Sequence, residues 1–208
     1  MKVKLCGFTE SKSLLAAVEN KADFIGFVFY KKSPRNITFD HSFELAKLIP
    51  PHIQKVAVVV DPDFDLLRNI CHSLQPQYFQ LHGAENKERV LEIKTAFPYI
   101  KIIKAFSIKD KSDLEQSLDF VDLVDIFLFD SIVAGSGKSF DFTILQNFSC
   151  TKEWFLSGGI NIRNIEEALK ITGAKMIDLS SGVEKERGIK SPEMIQEFMR
   201  KIKLYNAN

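Results

Sequence analysis

The chain has 208 residues, 45% of them hydrophobic, and its 28 lysine and arginine residues nearly balance its 27 aspartate and glutamate residues. That size suits one sizeable globular domain or two small ones, and a net charge of +1 does not suggest electrostatic capture of nucleic acid or of an anionic membrane. The three cysteines lack CxxC spacing, which argues against a disulfide framework and a zinc knuckle. The sequence has no signal-peptide core and no apolar run of membrane-spanning length. Together these features predict a cytoplasmic protein with reduced thiols.

Short apolar runs rich in valine, isoleucine and phenylalanine alternate along the chain with stretches of helical period, which predicts parallel strands joined by crossover helices. The eight predicted strands are Val3–Leu5, Phe24–Phe29, Lys55–Val60, Tyr78–Leu81, Lys101–Ala105, Ile126–Phe129, Trp154–Leu156 and Lys175–Leu179. The helices are predicted to begin near Thr9, Asp40, Asp63, Asn86, Ser112, Asp141, Ile162 and Pro192.

Eight strand–helix units predict a single (β/α)₈ TIM barrel, an α/β fold that would occupy residues 1–208 as one catalytic domain. A doubly wound open sheet is the alternative. It normally carries a GxGxxG turn after its first strand, and CGFTES is not one. The barrel is therefore favoured, and it places functional groups at the carboxyl ends of the strands.

Cys6 stands where the first predicted strand runs out into Gly7. Lys4 precedes it by two residues and points to the same face, where its ammonium would favour the thiolate that a cysteine base needs. A structural ion pair between Lys4 and Asp178 inside the barrel is the alternative, and both arrangements can hold together. An inert packing role is the other interpretation of Cys6.

Asp130 ends the run FLFD, in which bulky neighbours would half bury a carboxylate and raise its pKa, as a general acid requires. A helix cap or a partner for Lys138 is the alternative. Arg35, in SPR, is suited to bind a substrate carboxylate with its guanidinium fork, although many surface arginines have no such role.

The two last strands are followed by LSGGI and LSSGVE, small glycine-bearing loops whose free amides suit a phosphate at the strands where barrels commonly bind one. Plain tight turns are the alternative. The loop AGSGKS is not a Walker loop, because Ile132 stands where that motif needs glycine. It is better interpreted as a mobile flap over a substrate, or as a connection with no role.

The motifs KLCG, GFVFYKKSPRNI, VAVVVD, FQLHG, FLFDS with AGSGKSFDF, LSGGI, and IDLSSGVE followed by GIK resemble, in order and spacing, the phosphoribosylanthranilate isomerase family of tryptophan biosynthesis. The resemblance runs from Val3 to about Glu193. Two departures are mild: Ala134 stands where the flap usually has glycine, and Ser157 where alanine is usual.

The resemblance implies a barrel without metal or cofactor in which Cys6 is the general base and Asp130 the general acid. It places Arg35 opposite the anthranilate carboxylate, and we predict His82 and Asp178 as further substrate contacts. The phosphate-binding residues that it implies are Gly158, Gly159, Ser180, Ser181 and Gly182.

The implied chemistry is an Amadori rearrangement of an aminoaldose to an aminoketose. The expected partner is a small-molecule phosphosugar, with no nucleic acid and no membrane, and the expected state is a monomer or a weak homodimer. Indole-glycerol-phosphate synthase and pentose-phosphate epimerases share such phosphate loops, but they would be expected to carry a catalytic lysine or a metal-binding set at the strand ends. A non-catalytic sensor or scaffold is the alternative from another functional class.

Overall fold

Eight parallel strands close into a barrel in the computed structural model, which describes residues 1–131 and 141–207 except the side chains of Ser131 and Ala207. Each strand pairs with the next, and the eighth pairs with the first. The strands are β1 (Lys2–Cys6), β2 (Phe24–Phe29), β3 (Gln54–Val59), β4 (Tyr78–Leu81), β5 (Lys101–Ile108), β6 (Ile126–Ser131), β7 (Glu153–Leu156) and β8 (Met176–Leu179). The predicted barrel is confirmed.

Seven α-helices lie in the described residues. They are α1 (Ser11–Glu19), α2 (Phe39–Ala46), α3 (Phe64–Leu74), α4 (Lys87–Ala96), α5 (Lys111–Ser117), α6 (Ile165–Thr172) and α7 (Pro192–Ala207). The predicted caps at Asp63 and Asn86 are confirmed, since their side chains accept hydrogen bonds from the third amide beyond each. A short hairpin of β9 (Glu184–Glu186) and β10 (Ile189–Lys190), absent from the sequence prediction, follows β8.

Three predicted helix starts differ from the structure, and one of these helices, predicted to begin near Ile162, begins at Ile165 after Asn164. The first helix begins at Ser11, after Glu10, which makes no side-chain capping bond, rather than near Thr9. The helix predicted near Asp141 is only the 3₁₀ turn Phe142–Leu145. Asp141 does cap that turn, but Gln146 is already extended, with a ψ of 127°, so the turn ends at Leu145.

Apolar side chains fill two layers of the molecule. Outside the barrel, alternate strand residues pack against the helices, with fully buried phenylalanines such as Phe27, Phe79 and Phe127. Inside it, Phe24 contacts Tyr78 and Phe155 edge to face, with ring centroids 5.6 and 5.2 Å apart. Because Phe24 and Tyr78 begin their strands, this apolar cluster fills the amino-terminal half of the barrel and leaves the other end to polar groups.

No helix in the described parts of the chain is both long and apolar enough to cross a membrane.

Candidate active site

Cys6 is the last residue of β1, and its thiol points into the barrel, where the residue is only 6% exposed. It pairs with Gly26 of β2, and a Cβ atom added at Gly26 would lie 2.7 Å from Cys6 Sγ. A glycine is therefore required beside the thiol. Sequence reasoning missed this contact, although a glycine within the strand FIGFVF is the usual sign of a close approach.

A buried ion pair lies beneath Cys6. The Nζ atom of Lys4, a fully buried residue, is 2.8 Å from Oδ1 of Asp178, and Ser157 Oγ donates to Asp178 Oδ2 at 3.4 Å. Lys4 also interacts electrostatically with Cys6, so the two arrangements weighed for Lys4 hold together. Burial lowers the pKa of Lys4, but Asp178 and Cys6 outweigh it and raise that pKa above its ordinary value, so the lysine stays charged.

Burial also raises the pKa of the Cys6 thiol, because the barrel interior disfavours an anion. Lys4 lowers that pKa, Asp178 raises it and Lys190 lowers it, and the net direction is upward. Lys4 faces Cys6 as predicted, and its ammonium lowers the pKa of the thiol as expected, but burial has the larger effect. The desolvation of the sulfur exceeds the attraction of the ammonium groups.

Asp130 lies near the end of β6 with its side chain 28% exposed, and its Oδ2 atom is 3.6 Å from Nε2 of His82. The other ring nitrogen of His82 lies 3.0 Å from Nε2 of Gln80, a buried residue of β4. An amide nitrogen can only donate, so Nδ1 accepts and the proton of the neutral ring is on Nε2, toward Asp130. The structure thus brings together Asp130 and His82, and sequence reasoning missed Gln80.

The loop that carries His82 is fixed by a second buried ion pair. Lys104 Nζ is 3.0 Å from Oε2 of Glu85, whose carboxylate also accepts from the backbone amides of Asp61 and Gly83. This carboxylate therefore ties the loops after β3 and β4 to β5. A fixed loop gives His82 a defined position at the barrel mouth.

Arg35 lies at the same mouth and is held by Glu184. Arg35 Nε and Nη2 donate to the two carboxylate oxygens of Glu184 at 2.6 and 2.8 Å, and Lys190 Nζ donates to Glu184 Oε1 at 2.7 Å. Burial raises the pKa of Glu184, but these bonds outweigh it and hold that pKa at about 2. Sequence reasoning missed Glu184 and Lys190, which lie on the unpredicted hairpin and carry no motif signal of their own.

The loops after β7 and β8 touch each other. Gly158 and Gly159 have φ angles of 88° and 67°, and their amides have no backbone acceptor among the described residues. A Cβ atom at Gly182 would lie 2.0 Å from the carbonyl oxygen of Ile160, so only glycine permits this approach. Ser180 Oγ donates to the carbonyl of Cys6 at 3.1 Å, which joins the second loop to β1.

Ser181 begins a 3₁₀ turn, Ser181–Val183, directly after Ser180. The structure therefore brings together the five residues predicted to hold phosphate, next to Cys6. The predicted flap AGSGKS, including Ala134 and Lys138, lies outside the described residues. Within the described ranges, no three His, Cys, Asp or Glu side chains come together in a way that could hold a metal ion.

Comparison with known proteins identifies a family whose members resemble this chain. The model of the family N-(5'-phosphoribosyl)anthranilate (PRA) isomerase matches residues 3–201. An N-(5'-phosphoribosyl)anthranilate isomerase of Zymomonas mobilis subsp. pomaceae is 43% identical over 209 residues, covering 98% of this chain and 99% of that protein. One from Sinorhizobium medicae is 41% identical over 212 residues, covering 99% and 98%.

Solved structures agree with the sequence relatives. The crystal structure of phosphoribosyl anthranilate isomerase from Thermotoga maritima superposes with a TM-score of 0.87 at 31% identity, covering 98% of each chain. Another, in complex with reduced 1-(o-carboxyphenylamino)-1-deoxyribulose 5-phosphate, gives a TM-score of 0.84 at 30% identity, again over 98% of each chain. Since the family model and these relatives span nearly its whole length, the chain belongs to the N-(5'-phosphoribosyl)anthranilate isomerase family.

Proposed function

We propose that this isomerase of tryptophan biosynthesis converts N-(5'-phosphoribosyl)anthranilate to 1-(2-carboxyphenylamino)-1-deoxyribulose 5-phosphate, with Cys6 as general base and Asp130 as general acid. The observation that carries the assignment is that a thiol, a carboxylate and two joined glycine loops share one end of the barrel. The direct test adds freshly generated phosphoribosylanthranilate to the purified protein and follows the change in absorbance or fluorescence. A protein that leaves this compound unchanged contradicts the assignment.

The reaction begins at Asp130, whose acidic proton passes to the ring oxygen of the ribose and opens the ring to an imine. The Cys6 thiolate then removes the proton from the adjacent sugar carbon, which gives an enolamine that tautomerises to the ketone. His82, with its Nε2 proton directed at Asp130, is proposed to orient that carboxyl group and to contact the substrate. Asp178 keeps Lys4 charged beneath the sulfur, where the ammonium supports the thiolate.

The protein is further proposed to act as one domain over residues 1–208, in the cytoplasm, without metal or cofactor, as a monomer or weak homodimer. One solved relative is a monomeric form of the dimeric phosphoribosylanthranilate isomerase of Thermotoga maritima. Sedimentation of the purified chain over a range of concentrations tests the oligomeric state directly.

The Cys6 thiol is expected to titrate at a higher pH than an ordinary thiol. Burial disfavours the thiolate more than Lys4 and Lys190 favour it, so the pKa is raised and the thiol is mostly neutral near pH 7. The ultraviolet absorbance of the thiolate, followed against pH in a Cys71→Ser/Cys150→Ser variant, measures Cys6 alone. Lys4→Met should move the midpoint higher still, and a midpoint below that of a free thiol contradicts the prediction.

Arg35→Met should raise KM for the natural substrate by about tenfold or more, because the substrate carboxylate loses the guanidinium group that is proposed to bind it. The KM of a substrate analogue that lacks the ring carboxylate should change little, because this analogue has no group for the guanidinium to bind. Steady-state kinetics with both compounds measure the difference. An equal loss for both removes Arg35 from this role.

Gly182→Ala should raise both KM and the inhibition constant of inorganic phosphate by about fivefold or more, with a smaller effect on kcat, because anchoring a phosphate is largely uniform binding. The added methyl group meets the Ile160 carbonyl at 2.0 Å and forces apart the two loops proposed to hold the phosphate. Gly173→Ala is the control. Its methyl group enters open space at the end of α6 but strains a backbone with a φ of 66°, so the variant should lose some stability while phosphate inhibition stays unchanged.

A further inference from the structure

The hairpin after β8 places two charged side chains of unassigned role beside Arg35. Glu184 has a side chain that is 4% exposed and lies between two cations, with Arg35 Nε at 2.6 Å and Lys190 Nζ at 2.7 Å. The amide of Gly188, in the turn of the hairpin, donates to the same carboxylate at 3.2 Å. One carboxylate thus meets two cations, and one positive charge remains over the group.

That remaining charge is presented on Arg35 rather than on Lys190. The side chain of Lys190 is 1% exposed, and its ammonium also donates to the carbonyl and hydroxyl oxygens of Ser180 at 3.2 and 3.4 Å. The side chain of Arg35 is 21% exposed, and Glu184 occupies only its Nε and Nη2 atoms. Among the described residues Nη1 has no partner, so one edge of the guanidinium can still bind an anion.

We propose that Lys190 is a positioning residue that neutralises Glu184, so that Glu184 can orient Arg35 without cancelling the charge that Arg35 offers to the substrate carboxylate. This inference rests on the carboxylate-binding role proposed above for Arg35.

The physical reason is the strength of a guanidinium–carboxylate fork out of water. Without Lys190, Arg35 and Glu184 would form a closed neutral pair, and an incoming carboxylate would meet the repulsion of Glu184 at short range in a poorly solvated site. With Lys190 present, Glu184 serves as a fixed support and the group attracts one anion. The aliphatic part of Arg35 also packs against Gly7, where an added Cβ atom would lie 2.5 Å from its Cδ atom.

The experiment must distinguish this role from stabilisation of a loop, because the bonds from Lys190 to Ser180 reach a loop proposed to bind phosphate. If Lys190 only stabilises this loop, its loss should weaken the binding of every phosphorylated ligand equally. A lysine that balances charge affects only ligands that carry the carboxylate. The experiment therefore compares two ligands that share the phosphate and differ in that one group.

The probes are reduced 1-(o-carboxyphenylamino)-1-deoxyribulose 5-phosphate and its counterpart without the carboxylate, with Kd measured by titration calorimetry. Lys190→Met should weaken the first compound by about tenfold or more and the second by less than about twofold. In Lys190→Met/Glu184→Gln no carboxylate cancels the positive charge of Arg35, so most of the affinity lost for the first compound should be regained. Lys2→Met, which breaks the ion pair with Glu153 at the opposite end of the barrel, is the matched control and should leave both Kd values unchanged.

If Lys190→Met does not fold, Glu184→Gln alone serves as the second variant. It leaves two cations without a carboxylate, so the preference for the carboxylate-bearing compound should be kept or increased, and a tenfold fall in that preference overturns the proposal. Equal weakening of both compounds by Lys190→Met, or a double variant no better than the single one, overturns it as well. If the wild type binds both compounds equally, the role of Arg35 itself is contradicted. If the wild type prefers the compound with the carboxylate and the Lys190 variants keep the same preference, only the role of Lys190 is contradicted.

Discussion

Cys6→Ser is expected to lower kcat by at least about a hundredfold with little change in KM. A serine hydroxyl is too weak an acid to provide an anion near neutral pH, so the proton on the second sugar carbon has no base to receive it. The substitution removes little volume and keeps the contact with Gly26, which leaves no room for a larger group. Loss of turnover therefore reports lost chemistry rather than lost packing.

Substrate deuterated at the second sugar carbon sharpens this test. Removal of that proton should be slower from the deuterated compound, and Cys6→Ser should show the full isotope effect because this step then limits turnover. Cys71→Ser and Cys150→Ser are the matched controls, because both thiols lie outside the barrel interior, and they should turn over normally. Near-normal turnover of Cys6→Ser would make Cys6 a packing residue and contradict the mechanism.

Asp130→Asn is expected to lower kcat by at least about a hundredfold, again with little change in KM. Asparagine keeps the shape of the side chain and its position beside His82, but its amide has no acidic proton for the ring oxygen. The ring would then open at close to its uncatalysed rate. Steady-state kinetics, with binding of the product analogue measured separately, distinguish a failure of catalysis from a failure of binding.

Asp119→Asn is the matched control for that variant, because Asp119 is an exposed carboxylate 3.5 Å from Lys87 on the outer surface. It makes the same chemical change at a distance from the barrel mouth and should leave kcat unchanged. If Asp130→Asn also turns over normally, another group donates the proton and Asp130 has only a structural role. His82 would then be the first residue to test, since its Nε2 atom lies 3.6 Å from Asp130.

Strand boundaries illustrate which parts of the fold local sequence can predict. Phe24–Phe29 and Tyr78–Leu81 have the predicted bounds, because a buried parallel strand is a short apolar run between polar turns. The fifth strand runs on to Ile108, past the predicted end at Ala105, because Ser107 and Ile108 pair with β6. That extension depends on a neighbouring strand and has no local signal.

The sequence by itself determined the barrel and the positions of Cys6, Asp130 and the two glycine loops at one rim, because all strands of a parallel barrel end at the same edge. Only the tertiary structure decided the partners of these groups. Arg35 and Glu184 are 149 residues apart in the chain, and Lys4 meets Asp178 because β1 closes the barrel against β8. The pKa of Cys6 was decided in the same way, since burial inside the closed barrel outweighs the nearby lysine that the sequence shows, and burial depends on every strand around the thiol.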